Sequence, residues 1–149
     1  MLLKRTIMGN ELRTVIIVDD EPTITDLLTN ILAGKFETIA VGEQLQELIC
    51  LIKEKEPCCV LVDVNLEYTD GRELCRGIKA ELGESSPPVI LVSGDDSEET
   101  IISCFENGAD DFIAKPFSFT SVILSSLFNT LYINFIDKFL FLYILIHIL

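Results

Sequence analysis

The sequence predicts an α/β fold, a doubly wound parallel sheet built from five successive βα units. Three observations predict it. Short apolar runs rich in Val, Ile and Leu recur five times between residues 14 and 131. Each is followed by a segment whose apolar residues return with helical period. Strands and helices that alternate in this way pair the strands in parallel and place helices on both faces of the sheet. Third, the polar residues that end the strands are chemically unusual, and such sheets carry their sites at the C-terminal strand ends.

The elements follow in order. "TVIIV" (14–18) is an apolar run bounded by polar residues, the signature of a buried strand. Residues 23–33 set Ile24, Leu27, Leu28, Ile31 and Leu32 on one helical face, and Gly34 ends the helix. "TIAV" (38–41) is the second strand. Leu45, Leu48, Ile49 and Ile52 then mark a helix that stops before Pro57. "CCVLV" (58–62) runs into Asp63 as the third strand, and Leu74, Ile78 and Leu82 space a third helix after a loop with Asp70-Gly71. "VILV" (89–92) is entered from Pro87-Pro88. Asp96 or Ser97 caps a fourth helix, which has acids in its first turn, Ile101, Ile102 and Phe105 as apolar positions, and Gly108 as its stop. "DFIA" (111–114) is the fifth strand. Ser118 caps a fifth helix, with Leu124, Leu127, Phe128 and Leu131 toward the sheet and Ser125, Ser126, Asn129 and Thr130 outward.

Composition narrows the function. A chain of 149 residues with 49% hydrophobic residues can bury one sizeable core. Its net charge of −13 argues against general nucleic-acid binding, which needs a basic stripe for phosphates. Residues 1–117 hold 23 acids and 10 bases, whereas residues 118–149 hold only Asp137, Lys138 and a neutral His147. The five cysteines, Cys50, Cys58, Cys59, Cys75 and Cys104, show no paired spacing and read as reduced thiols, mostly buried. That favours a reducing, cytoplasmic setting. Residues 1–12 lack a sustained apolar region and read as a lead-in rather than a signal peptide.

The strand ends carry the chemistry. "VIIVDDEP" places three acids in a row before a proline. A like-charge pair about 4 Å apart costs roughly 4 kcal/mol at an effective dielectric of 20. In the flavodoxin-like order 2-1-3-4-5, strands one and three are neighbours, so Asp19, Asp20 and Asp63 converge at one edge. Three carboxylates so close need a counter-charge. A hard, oxygen-binding cation such as Mg²⁺ (or Mn²⁺) suits them. Ser93 after strand four adds a hydroxyl, and Lys115 after strand five adds a point charge. An anionic nucleophile, a metal and two groups able to hold phosphoryl oxygens make a phosphoryl-transfer site. Each feature alone has a plainer reading. Asp19-Asp20 alone is an acidic helix start, Ser93 a turn residue, Lys115-Pro116 a solvated loop and Phe112 a core aromatic.

Over about residues 13–130 the chain resembles the receiver domain of two-component response regulators, the CheY-like proteins. The likeness rests on "VDDEP", on "VLVDVNL" with Gly71 eight residues after Asp63, on "VSG" and on "DDFIAKPF". The spacings agree: 43 residues from Asp20 to Asp63, 30 from Asp63 to Ser93 and 22 from Ser93 to Lys115. The resemblance implies that Asp63 is the phosphoacceptor, served by a sensor histidine kinase or a phosphotransfer protein. It implies that Asp19, Asp20, Asp63 and the backbone carbonyl of Asn65 hold the metal. Lys115 and Ser93 would contact the phosphoryl group, Phe112 would be the switch aromatic, and Lys115-Pro116 would be cis. The domain would assist its own phosphorylation and dephosphorylation without being an enzyme. It would change partner binding through helix four, strand five and helix five. Two departures stand out: Glu67 occupies a position where the family often has proline, and the switch aromatic lacks a hydroxyl.

Residues 131–149 form an apolar C-terminal tail interrupted by Asp137 and Lys138. It reads three ways: as a membrane contact, as a packed or homodimerising helix, or as the product of a truncated or shifted reading frame. The chief alternative to a phosphorylation switch is a non-phosphorylated, receiver-like interaction module tethered by this tail. A small-molecule-binding domain is disfavoured because no strand end has a Gly-rich phosphate cradle. A phosphohydrolase is disfavoured because Asn65, not an acid, lies two residues past Asp63.

Overall fold

The computed structural model describes residues 12–130. The lead-in through residue 11 and the tail from residue 131 lie outside the described residues, and with them the readings placed on the tail. The strands are β1 (Arg13–Val18), β2 (Phe36–Val41), β3 (Cys59–Asp63), β4 (Val89–Ser93) and β5 (Asp111–Ala114). The helices are α1 (Pro22–Leu32), α2 (Leu45–Lys55), α3 (Gly71–Leu82), α4 (Glu98–Glu106) and α5 (Phe119–Thr130). A 3₁₀ turn spans Gly83–Ser85. All pairings are parallel, in the order β2-β1-β3-β4-β5. The predicted architecture and strand order are both present.

The strands read as continuous apolar runs because both faces of the sheet are covered. Ile16, Val18, Val60, Val62 and Leu91 point toward one core, shared with Leu48 and Ile52 of α2, Ile78 of α3 and Cys104 of α4. Val15, Ile17, Leu61, Ile90 and Val92 point to the other, shared with Leu28 and Leu32 of α1 and Val122 and Ile123 of α5. Each fully buried Val, Leu or Ile contributes about 1.5–3 kcal/mol relative to exposure. The central strands β3 and β4 are buried along their whole length.

The helix faces differ from expectation in three places. Leu27 is exposed, so α1 buries only Leu28, Ile31 and Leu32 fully. On α4 the one buried residue is Cys104, while Ile102 and Phe105 are 49% and 47% exposed. On α5, Ser125 and Ser126 face inward beside Val122 and Ile123 rather than outward. For Ser125 the reason lies in its partner. The Ser125 hydroxyl donates to Asp111 Oδ2 of β5, and Ser126 is fully buried beside Val122 and Ile123. A short hydroxyl with an acceptor can be buried as readily as an apolar residue.

The caps hold more closely. Ser97 Oγ accepts from Thr100 N at 3.3 Å, which selects Ser97 over Asp96 as the α4 cap. Ser118 Oγ accepts from Ser121 N at 3.1 Å ahead of α5. Gly108 closes the turn after α4 with φ +94, a conformation that favours glycine. Cys59, Cys75 and Cys104 are buried, Cys58 is half-buried and Cys50 is exposed. Among the described residues no helix is long and apolar enough to cross a membrane.

Candidate functional site

Three strands deliver the site residues to one edge. β1 ends at Val18, so Asp19 and Asp20 follow directly, and β3 ends on Asp63 itself. Parallel register sets Val18 beside Val62, and Asp63 beside Val92, one residue short of Ser93. β5 ends at Ala114, paired with Ser93, so Lys115 emerges next to Ser93. The Lys115 backbone N–H donates to the Ser93 carbonyl at 2.7 Å. The Lys115–Pro116 peptide is cis.

The convergence read from the sequence is present. Asp19, Asp20 and Asp63 each offer a carboxylate oxygen, and these oxygens lie within 4.8 Å of one another. Lys115 Nζ stands 3.2 Å from Asp63 Oδ1 and 3.4 Å from Asp19 Oδ2. Asp63 is 4% exposed, whereas Asp20 faces solvent. The other oxygen of Asp19 accepts the Glu21 backbone N–H at 2.9 Å, which orients its carboxylate at the start of α1. Ser93 is fully buried, and its Oγ accepts the Asp95 N–H at 3.1 Å.

Electrostatics at this edge are unbalanced. Burial raises the Asp63 pKa above the ordinary carboxylate range; Lys115 opposes the rise and Asp19 adds to it. Burial would lower the Lys115 pKa, but Asp63 and Asp19 outweigh it and the ammonium is held more firmly. One ammonium faces three carboxylates, and the buried Asp63 Oδ1 accepts no well-aligned hydrogen bond. A clustered, under-compensated set of oxygen donors fits a hard divalent cation, which takes carboxylate, carbonyl and water oxygens.

The loop after β3 is held by contacts that spacing alone did not reveal. A Cβ on Gly71 would sit 2.0 Å from the Asp63 carbonyl oxygen and 2.9 Å from Val64 Cα. Only glycine lets α3 begin so close to the end of β3. The Gly71 N–H donates to the Val64 carbonyl at 2.8 Å, and Asn65 bridges Asp70. Asp70 caps α3 by accepting from Arg72 N at 2.8 Å. The Arg72 guanidinium grips the same carboxylate at 2.6 Å and holds its pKa below the usual range. Arg72 also reaches Ser103 Oγ of α4 at 3.3 Å. On the far side, the Tyr68 N–H donates to the Glu43 carboxylate at 3.2 Å. Glu43 and Arg72 carry no sequence signal for this support, because both act across loops.

Phe112 is half-buried on β5 and packs against the core on the α2, α3 and α4 side. Asn65 is exposed. Asp95 is turned back into α4, accepting from Thr100 Oγ1 at 2.6 Å and Ser97 N at 3.0 Å.

A family model described as the response regulator receiver domain matches residues 15–125. The chain is 35% identical over 104 residues to the DNA-binding response regulator MtrA of Mycolicibacterium smegmatis, covering 69% of this chain and 44% of that protein. It therefore spans less than half the length of that relative. Among solved structures it resembles the receiver domain of NtrX from Brucella abortus, with TM-score 0.70 and 32% identity, covering 80% of this chain and 99% of that one. It also resembles a CheY-like receiver domain protein from Methanospirillum hungatei, with TM-score 0.67 and 25% identity, covering 80% and 94%.

Proposed function

The chain belongs to the response regulator receiver domain family, and from that premise we propose that it is a phosphorylation-dependent switch with Asp63 as its phosphoacceptor. The observation that carries this reading is the placement of Asp63. It is the residue that ends β3 at the centre of a three-acid cluster, its side chain buried and Lys115 Nζ 3.2 Å away. The donor is a phosphohistidine on a sensor histidine kinase or a phosphotransfer protein. An Asp63 carboxylate oxygen forms the new P–O bond, the P–N bond breaks, and the leaving imidazole takes up a proton.

The protein's contribution is position and charge, since in-line transfer needs little covalent help. Lys115, which stands between Asp63 and Asp19, orients the Asp63 carboxylate. Lys115 neutralises charge on the incoming phosphoryl oxygens, and the buried Ser93 hydroxyl, which accepts from Asp95 N–H, can still donate its own proton. Asp19, Asp20, Asp63 and the Asn65 carbonyl would hold Mg²⁺ or Mn²⁺, which supplies further charge neutralisation when bound. The acyl phosphate carries close to −2 charge, about one more than the carboxylate it replaces, and brings three acceptor oxygens. Ser93 and Lys115 are drawn toward it, Phe112 changes its depth, and the face of α4, β5 and α5 shifts population between two states.

The switching unit is residues 13–130. Hydrolysis of the acyl phosphate is assisted by the same residues, so the domain resets itself without acting on a separate substrate. The complete set of three acids, serine and lysine supports a switch over a non-phosphorylated interaction module. The test is intact-mass analysis of the full chain incubated with acetyl phosphate, with and without Mg²⁺, beside Asp63→Asn. A Mg²⁺-dependent phosphoryl adduct absent from the variant is expected. No adduct on folded protein, from acetyl phosphate or from a phosphohistidine donor, overturns the reading.

A further inference from the structure

The outward face of α4 carries both apolar surface and charge. Glu98, Glu99, Ile102, Phe105 and Glu106 are all exposed, and at 100° per residue they fall within one side of the helix. Two large apolar side chains about half exposed and one turn apart are unusual on a helix whose only buried residue is Cys104. The stripe is bounded by acids. Residues 80–114 contain nine Asp or Glu and no Lys, Arg or His.

Three of the cations that flank this segment are engaged, while Arg76 of α3 is exposed. Arg72 is closed on Asp70 at 2.6 Å, Lys79 on Asp110 at 2.5 Å, and Lys115 faces Asp63 and Asp19. The α4 helix itself carries no cation to offset its glutamates. A second copy of the same face would set acids against acids, and like-charge juxtaposition costs several kcal/mol.

We propose that the α4 face spanning Glu98, Ile102, Phe105 and Glu106 docks a Lys/Arg-rich amphipathic segment of a partner protein. The partner's apolar residues cover Ile102 and Phe105, and its cations meet the glutamates. Packing of the partner's apolar residues against Ile102 and Phe105 supplies the affinity, and the charge rim selects the partner's sign. The inference deepens the output role assigned to this face. Its regulation rests on that reading, but binding itself does not.

The test titrates the isotopically labelled full chain with a synthetic amphipathic peptide of Leu and Lys, and with its Leu and Glu counterpart, reading amide shifts. Shifts confined to residues 95–106 with the Lys peptide, and none with the Glu peptide, are expected. Ile102→Ala with Phe105→Ala should weaken binding about tenfold. Glu98→Lys with Glu106→Lys should abolish it, and both pairs lie on exposed positions that leave the core intact. Equal binding by the charge-reversed variant, shifts centred on another acidic face, or peptide-free self-association through residues 95–106 overturns the proposal. The titration is repeated after acetyl phosphate treatment and on Asp63→Asn. Affinity that changes only when Asp63 is phosphorylated supports both readings. Affinity that never changes leaves the docking face standing and removes its switch role.

Discussion

The two ends of the sheet treat charge in opposite ways. At the N-terminal edge, Asp110 receives Lys79 Nζ at 2.5 Å and the Val89 N–H at 2.8 Å, and Lys79 also reaches the Pro87 carbonyl at 3.4 Å. One carboxylate meets one ammonium, and the entries to β4 and β5 are tied together. At the C-terminal edge three carboxylates share one ammonium, and Asp63 is held with a raised pKa. The first arrangement is closed and serves stability. The second keeps charge uncompensated inside the protein, a condition that favours binding a cation and a phosphoryl group.

The contrast is testable by breaking each end. The largest effect is expected from Gly71→Ala, because its Cβ would collide with the Asp63 and Val64 backbone. It should cost about 2–4 kcal/mol in urea unfolding and remove most of the phosphoryl adduct, by displacing the acceptor. Lys115→Ala should leave the fold intact but slow phosphorylation from acetyl phosphate on the order of a hundredfold, the usual loss for one charge-stabilising donor. Asp110→Ala should do the reverse. Its partly exposed ion pair and one backbone hydrogen bond are together worth about 1–2 kcal/mol of stability, with adduct formation unchanged.

The smallest effect concerns Asp70, whose pKa is lowered by Arg72. A lowered folded-state pKa contributes stability above the unfolded value, about 3.9, and loses it as pH falls through the folded one. Asp70→Asn keeps a competent cap but loses the charge pair. It should therefore melt slightly below the parent at neutral pH, by less than about 1 kcal/mol. The gap should close in acid, as read by thermal melts across pH. A gap that widens in acid contradicts the assignment.

The strands and their terminal residues were legible because a doubly covered parallel sheet writes itself as apolar runs ending in polar residues. Asp19, Asp20, Asp63, Ser93 and Lys115 follow from that alone once strand order is known. The faces of α4 and α5 were less legible. Polarity alone places Ser125 and Ser126 outward, yet Asp111 gives Ser125 an inward partner and Ser126 is fully buried. Ile102 and Phe105 were read as the apolar positions of α4, yet the small Cys104 takes the buried place. Gly71 was visible only as a spacing, and its steric reason needed the backbone of Asp63 beside it. Lys79 and Asp110 lie 31 residues apart, too far for any local pattern.

The most direct measurement treats the folded full chain with acetyl phosphate and Mg²⁺, reduces the acyl phosphate with borohydride, and maps the resulting homoserine by peptide mass spectrometry. Phosphorylation at the buried acceptor requires homoserine at Asp63 and nowhere else. Homoserine at Asp19 or Asp20, with Asp63 unchanged, contradicts it.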